Sequence, residues 1–134
     1  MKDFAENVVY FNEEVLHSIR GHKLLESEFQ RAHTLKCLTE ELAEYKLAGQ
    51  KGDYLGAVDA ILDLMYFAVG SLHRMGLSPT EMSDCGRIVH TANMQKAKGK
   101  VERRAVDGVP DATKPVGWES PEESMRRYLE VDHG

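Results

Sequence analysis

The fold is decided by residues 54–72, which read YLGAVDAILDLMYFAVGSL. Apolar residues recur there at spacings of three and four, the period of an α-helix: Leu55, Val58, Leu62, Met65, Val69 and Leu72. Further apolar residues, among them Ile61, Leu64 and Phe67, cover much of the remaining helix surface. A helix that is apolar nearly all round belongs at the centre of a bundle. This stretch therefore predicts a long central helix.

Two more helices are predicted before this stretch. The first is indicated by apolar residues at helical spacing that end near Gly21-His22: Phe4, Val8, Phe11, Val15 and Ile19. The second is expected from about Glu26 to Ala48, with an inward-facing stripe: Leu35, Leu38, Leu42 and Tyr45. Residues 49–53 contain two glycines and predict a turn, which makes the second helix antiparallel to the central one.

Two helices are predicted after it. Ser78-Pro79-Thr80-Glu81 is a capping box with proline at the first helical position, and it starts a fourth helix that ends at about Lys98. Glycines and prolines scattered over residues 99–119 predict an arm, and nothing in the sequence indicates a β-sheet. Ser120-Pro121-Glu122-Glu123 repeats the capping box before a short last helix. We expect an all-α fold, a four- to five-helix bundle forming one domain over residues 1–134, with a helical core at 1–98 and an arm at 99–134.

Composition narrows the class of protein. The 134 residues are 42% hydrophobic and 29% charged, which is ordinary for one globular domain. The net charge of −5 does not favour a nucleic-acid or membrane binder. The N-terminal residues lack the pattern of a signal peptide, so we expect a cytoplasmic protein. Cys37 and Cys85 are interpreted as reduced core residues, and the histidines at 17, 22, 33 and 73 as structural or exposed.

The central helix carries two acids in its apolar surface. Asp59 and Asp63 are the only charged residues between positions 54 and 72, and their spacing of four places them on one face. An ionised carboxylate in apolar surroundings costs several kcal/mol unless another charge compensates it. The stretch offers no lysine or arginine, and the two acids are too disruptive for a membrane span. A divalent cation would compensate both carboxylates at once.

The second helix supplies further acids at Glu40, Glu41 and Glu44. Glu41 and Glu44 are three residues apart and therefore neighbours on the helix surface. A Glu-Glu-x-x-Glu run alone is commonly a solvated face. In an antiparallel hairpin, however, Glu41 and Glu44 lie at a similar height along the helix axis to Asp59 and Asp63. Four carboxylates between two helices form the oxygen-only site that Mg²⁺ or Mn²⁺ prefers.

These motifs resemble a known family. Glu41-x-x-Glu44 followed by Asp59-x-x-x-Asp63 is similar to the MazG-like all-α NTP pyrophosphohydrolases, which are related to phosphoribosyl-ATP pyrophosphohydrolase and to the dimeric dUTPases. The more usual second motif is Glu-x-x-Asp. Here Ala60 occupies the Glu position, and Asp59 would have to substitute, a shift also familiar in short stand-alone and phage members. The resemblance covers about residues 4–96.

The resemblance implies a reaction and a cofactor. A (deoxy)nucleoside triphosphate is hydrolysed to its monophosphate and pyrophosphate by attack of water on the α-phosphorus. Mg²⁺, or Mn²⁺ as its substitute, would be held by Glu41, Glu44, Asp59 and Asp63. Either Glu41 or Glu44 would hold or deprotonate the water, and the residues do not separate the two. The leading substrates are dGTP and dUTP.

The resemblance also suggests contacts to the phosphates and the base. Residues 90–96 contain Asn93-Met94-Gln95-Lys96, similar to an Asn-Met-x-Lys run of the family, and imply phosphate binding by Asn93 and Lys96. Lys100, Arg103 and Arg104 either extend this phosphate site or form a solvated basic loop. In the first helix, Phe11 and Asn12 stand where a Phe-His pair is common and imply base binding, although Phe11 also suits the core. Trp118 either closes over the nucleotide or packs at a subunit contact.

The remaining expectations concern the assembly of the protein and two alternative functions. One hairpin leaves the site open on one side, and relatives complete theirs by association, so we expect a homodimer or homotetramer. Di-iron carboxylate bundles also place acids on facing helices but need two Glu-x-x-His motifs, for which Glu14-Val15-Leu16-His17 is the candidate. The non-enzymatic alternative is a helical dimerisation or regulatory module whose acids bind a basic partner surface.

Overall fold

The computed structural model describes residues 2–97, 101–103, 110–112 and 114–131. Their elements follow one another in the order α1 (Lys2–Glu14), α2 (Glu28–Lys51), α3 (Tyr54–Arg74), α4 (Pro79–Ala97), β1 (Val101–Arg103), β2 (Pro110–Ala112) and α5 (Pro121–Leu129). The predicted all-α helical bundle is confirmed. The chain divides into two compact units, Met1–Met82 and Ser83–Gly134, with the division inside α4.

The α2–α3 hairpin is formed by local capping. Ser27 precedes α2, and its hydroxyl accepts a hydrogen bond from the Gln30 N–H at 3.1 Å. Gly52 ends α2 in the left-handed conformation with φ of 67°, which glycine adopts without steric cost. Asp53 then caps α3 by accepting from the Gly56 N–H at 2.9 Å. The reversal takes only these two residues, so the predicted turn exists but is shorter than residues 49–53.

The capping box before α4 is confirmed. The Ser78 N–H donates to the Glu81 carboxylate at 2.9 Å, and the Glu81 N–H donates to the Ser78 hydroxyl at 3.1 Å. Lys23 adds an ion pair with Glu81 at 3.0 Å. These hydrogen bonds hold the pKa of Glu81 below its ordinary value, the backbone of Ser78 contributing most.

The end of α1 differs from the prediction. The helix stops at Glu14 instead of continuing to Gly21, and Ile19 is 86% exposed. His17 has a φ of 54°, and the Ser18 N–H bonds back to the Asn12 carbonyl at 2.8 Å, so the chain leaves the helix. Residues 15–27 form a segment without helix that we call the strap. The spacing of Val15 and Ile19 fits a helix, but both residues lie beyond the end of α1 and their side chains are exposed.

The strap crosses the C-terminal end of α3 at two glycines. The Gly21 N–H donates to the His73 carbonyl at 3.2 Å, and a Cβ at Gly21 would overlap the Arg74 carbonyl oxygen. Gly76, with φ of 96°, lies against the backbone of His22. Lys23 also donates to the Gly76 carbonyl at 2.7 Å. The crossing is therefore close enough to require glycine on both sides.

The buried face of α2 is not the predicted leucine stripe. Leu35 is 64% exposed, and Leu42 and Tyr45 are also exposed. The buried residues are instead Thr34, Glu41 and Ala48, which share a face one position away. The chain thus turns small and polar side chains inward and leaves leucines on the surface.

Helix α1 packs on α3 through aromatic and small residues. The rings of Phe4 and Phe11 meet Tyr66 edge to face, with centroids 6.0 and 5.5 Å apart. Val8 is completely buried, and Ala5 and Ala60 are nearly so. Small side chains at these positions allow close packing of the helices.

A short ribbon in the second unit contradicts the expected absence of β-structure. Val101–Arg103 and Pro110–Ala112 pair as a short antiparallel ribbon, in which Val101 lies opposite Ala112. Strands of three residues are too short to show an alternating pattern in the sequence. The predicted last helix is confirmed as α5, capped by the Ser120 hydroxyl.

Candidate active site

The α2–α3 hairpin brings together the four acids that the sequence singled out. Glu41 and Glu44 lie one turn apart on α2, and Asp59 and Asp63 lie one turn apart on α3. The negative charges of Glu44, Asp63 and Asp59 all act on Glu41. None of the ion pairs between described residues includes one of these four acids. The hairpin therefore holds a concentration of negative charge that no side chain in the described part of the chain balances.

Glu41 has the most unusual surroundings of the four. Its residue is only 9% exposed, and its Oε2 atom is buried without a hydrogen-bond partner among the described residues. Burial, hydrogen bonding with Glu44 and the neighbouring charges raise the pKa of Glu41 to about 7. Without a cation nearby, this carboxyl group tends to keep its proton near neutral pH.

Asp63 follows the same trend on the opposite helix. Burial raises its pKa, and the charges of Asp59 and Glu44 raise it further. Asp59 itself is exposed, whereas Ala60 is only 1% exposed. The position where the family motif more usually has glutamate is thus filled by a small buried residue, and Asp59 supplies the charge beside it.

The donor set fits a hard divalent cation. All four groups offer carboxylate oxygens, the ligands that Mg²⁺ and Mn²⁺ prefer. An orphaned buried oxygen and uncompensated like charges are both relieved by a cation. Among the described residues, no three His, Cys, Asp or Glu side chains already stand in a metal-ligand arrangement. The glutamates and aspartates would therefore have to rotate toward an ion, and their flexible side chains permit this.

The two residues predicted to bind the base lie at a cavity of about 240 Å³ in the first unit. Phe11 is half-buried and contacts Tyr66. Asn12 is buried, its amide N–H donates to the Val8 carbonyl at 2.8 Å, and its amide oxygen accepts from Arg74 at 3.2 Å. Both ends of the Asn12 amide are therefore already engaged.

A buried polar network beside this cavity was missed by the sequence analysis. The Arg74 guanidinium pairs with Glu26 at 2.8 Å, and the Thr34 hydroxyl donates to the same carboxylate at 3.1 Å. Glu26 belongs to the strap and is 48 residues from Arg74 in the chain, so no local spacing pairs them. Next to Arg74, His73 is completely buried, and its burial is the main cause of a lowered pKa.

The predicted phosphate-binding residues belong to the second unit. Asn93 is exposed on α4, and the Lys96 ammonium lies over the Trp118 ring, 4.9 Å from its centroid. Lys100 and Arg104 lie outside the described residues. Arg103 belongs to β1, and its side chain is also outside the description.

Trp118 packs within its own unit. Its indole N–H donates to the Ala92 carbonyl at 2.8 Å, and the Lys114 ammonium lies 5.0 Å from the ring centroid. With Lys96 also over the ring, Trp118 fastens the segment before α5 to α4. This contact tests neither of the two roles considered from sequence, which stay predictions.

The di-iron alternative fails on helix geometry. Glu14 is the last residue of α1, and His17 has left-handed backbone angles, so the two do not share a helix face. A second Glu-x-x-His spacing, Glu130 to His133, was overlooked in the sequence analysis. Glu130 follows α5 with φ of 56°, and His133 lies outside the described residues. Glu14 and His17 therefore do not form the helical motif that such bundles use.

The chain matches a known protein family. The sequence profile of the phosphoribosyl-ATP pyrophosphohydrolase family matches residues 11–93, more than half of the chain. The matched range contains all four acids of the hairpin and the cavity beside them. No curated protein matches the chain.

Proposed function

Since the chain belongs to the phosphoribosyl-ATP pyrophosphohydrolase family, within the MazG-like all-α NTP pyrophosphohydrolases, we propose that it is a metal-dependent nucleoside triphosphate pyrophosphohydrolase. Family membership makes it a hydrolase of nucleotide pyrophosphate bonds. The proposed reaction converts a deoxynucleoside triphosphate and water to the monophosphate and pyrophosphate. The leading substrates remain dGTP and dUTP.

The proposal is carried by the environment of Glu41. A buried carboxylate with an orphaned oxygen, facing Glu44, Asp59 and Asp63, costs stability unless a cation is bound. An acidic hairpin cannot attract a triphosphate by itself, and a dication reverses the local charge. We assign Glu41, Glu44, Asp59 and Asp63 to Mg²⁺, with Mn²⁺ as a substitute.

The bound metal and the carboxylates then have different roles in the reaction. When bound, the metal neutralises charge on the triphosphate and lowers the pKa of the attacking water. The water oxygen bonds to the α-phosphorus, the bond to the α,β-bridging oxygen breaks, and pyrophosphate leaves with the bonding electrons. Glu41 or Glu44 takes the proton of the water.

Other residues enter the proposal through the family resemblance. Asn93 and Lys96, with Lys100 and Arg103, are proposed to bind the phosphates. Exposed leucines on α2 and α3 support association into a homodimer or homotetramer. We expect the protein to act in the cytoplasm.

The direct test is a substrate panel. All canonical NTPs and dNTPs, together with the phosphoribosyl-ATP of the family's name, are incubated with Mg²⁺ or Mn²⁺, and the products are separated. Monophosphate and pyrophosphate are expected, and chelation with EDTA should stop their formation. Diphosphate with orthophosphate as the first products would contradict attack at the α-phosphorus.

Matched variants test the site itself. Glu44→Gln and Asp63→Asn should each lower kcat by roughly a hundredfold or more, because they remove a proposed metal ligand. Their far-ultraviolet circular dichroism should match that of the wild type. Glu40→Gln is the control, since Glu40 is exposed on the same helix. Equal activity of Glu40→Gln and Glu44→Gln would remove the basis of the proposal.

A further inference from the structure

The cavity in the first unit lies about one helical turn from the acids on both helices. On α2, the lining residue Cys37 precedes Glu41 by one turn, and on α3, the lining residue Phe67 follows Asp63 by one turn. One helical turn corresponds to about 5–6 Å along each helix. Cavity and acids are therefore neighbours between the same two helices.

The walls of this cavity suit a flat heteroaromatic ligand. Phe11, Tyr66 and Phe67 contribute aromatic rings, and Gln30 and His33 contribute polar groups from one face of α2. Mostly apolar walls with a few polar groups are typical of sites for small organic molecules. The strap supplies two more lining residues, Leu16 and Ser18.

Most of the polar groups around the cavity already have partners. Asn12 is bonded at both ends of its amide, and Arg74 is shared among Glu26, Asn12 and Thr34. His33 Nε2 lies 3.5 Å from the Cys37 thiol. The side-chain amide of Gln30 makes no hydrogen bond to the described residues, where only its backbone N–H is engaged by Ser27. Gln30 is thus the lining residue whose side chain combines a donor and an acceptor, neither of them engaged by the described residues.

The family resemblance already implies that the base binds beside Phe11, and we propose that Gln30, which lines the same cavity, determines which base is accepted. The inference rests on the proposed function, because the neighbouring acids are assigned to the triphosphate. A side-chain amide can donate to and accept from one base edge at the same time. Asn12 is a positioning residue here, since it acts on the wall through Arg74.

Substitution of Gln30 tests this role through base ranking. Gln30→Leu should raise KM for the best substrate about tenfold or more, with kcat within about twofold, and should flatten the preference among bases. Gln30→Glu offers acceptors only, so kcat/KM should shift about tenfold toward guanine, whose N1–H and amino group are adjacent donors. Gln50→Leu, at the exposed far end of α2, is the control and should change nothing. An unchanged base ranking in Gln30→Leu would overturn the proposal.

A binding experiment separates the cavity from catalysis. Free nucleosides, without phosphate or metal, are titrated against the wild type and against Cys37→Phe, which fills the cavity. Saturation-transfer NMR should show base protons in contact with the wild type and a signal reduced at least fivefold in Cys37→Phe. Equal signals for both proteins would contradict the assignment. Nucleoside binding without hydrolysis of any triphosphate would instead contradict the proposed function alone.

Discussion

Glu41 couples protonation to stability in the metal-free protein. Its pKa is raised from 4.5 to about 7 in the folded chain, so the folded state binds this proton more tightly than the unfolded state does. The stabilisation is complete below pH 4.5 and is lost as the pH rises through 7. The free energy of unfolding should therefore fall between pH 5 and pH 8.

The test is urea unfolding of the EDTA-treated protein at pH 5 and pH 8. Glu41→Gln removes the titrating group and should be about 2 kcal/mol more stable than the wild type at pH 8. At pH 5 the two proteins should be nearly equal. Glu40→Gln should follow the wild type at both values. A wild-type stability that rises toward pH 8, with Glu41→Gln following it, would show that Glu41 is not held in its protonated form.

Breaking the buried ion pair between Glu26 and Arg74 is expected to cost more stability than breaking an exposed pair. Glu26→Ala leaves the Arg74 guanidinium without its carboxylate, and removal of one partner from a buried pair costs about 3–5 kcal/mol. Arg87→Ala breaks the exposed pair with Asp84 and should cost less than about 1 kcal/mol. Thermal unfolding of both variants measures the contrast, and similar melting temperatures would contradict it.

At the scale of elements, the strap depends on its close crossing with α3. Gly21→Ala would place a methyl group on the Arg74 carbonyl oxygen, so the strap must move, and we expect a loss of about 3 kcal/mol. Gly49 lies in α2 with open space around its Cα, and Gly49→Ala should stabilise the protein by about 0.5–1 kcal/mol. The denaturant midpoints of the two variants measure these opposite changes in the free energy of unfolding.

Elements with local signals could be predicted, and elements without them could not. The capping box of Ser78 and Glu81 predicts the start of α4, because capping needs only neighbouring residues. The end of α1 has no such signal, because Val15 and Ile19 continue the apolar spacing although the strap turns them to the surface. Helical period therefore predicts where a helix can form, but α1 stops where His17 turns left-handed and the Ser18 N–H bonds back to Asn12.

In the candidate site, too, features with a local sequence signal could be predicted and features that depend on distant contacts could not. The spacing of Glu41, Glu44, Asp59 and Asp63 predicted their convergence, because a short turn fixes the pairing of two helices. The bonds of Asn12 to Arg74, and of Arg74 to Glu26, join three distant segments and depend on the packed fold. No pattern in a single sequence contains that information.

For the whole molecule, the surface leucines of the hairpin predict association. Leu35 on α2 and Leu55 on α3 are 64% and 75% exposed. Leu35→Lys combined with Leu55→Lys should convert the proposed oligomer to monomers, because charged groups oppose burial at an interface. Val116→Lys, in an exposed turn of the second unit, should leave the assembly unchanged. Light scattering after size exclusion gives the mass, and a monomeric wild type would contradict association.

Helix α3 has the length and composition of a segment that could cross a membrane. An aspartate near the centre of such a segment opposes insertion by about 2.5–3.5 kcal/mol. Asp59 and Asp63 therefore both oppose insertion of this segment into a bilayer. An inactive variant made with leucine at both positions would risk delivery to the bilayer, whereas one made with asparagine keeps the segment polar enough to be released into water.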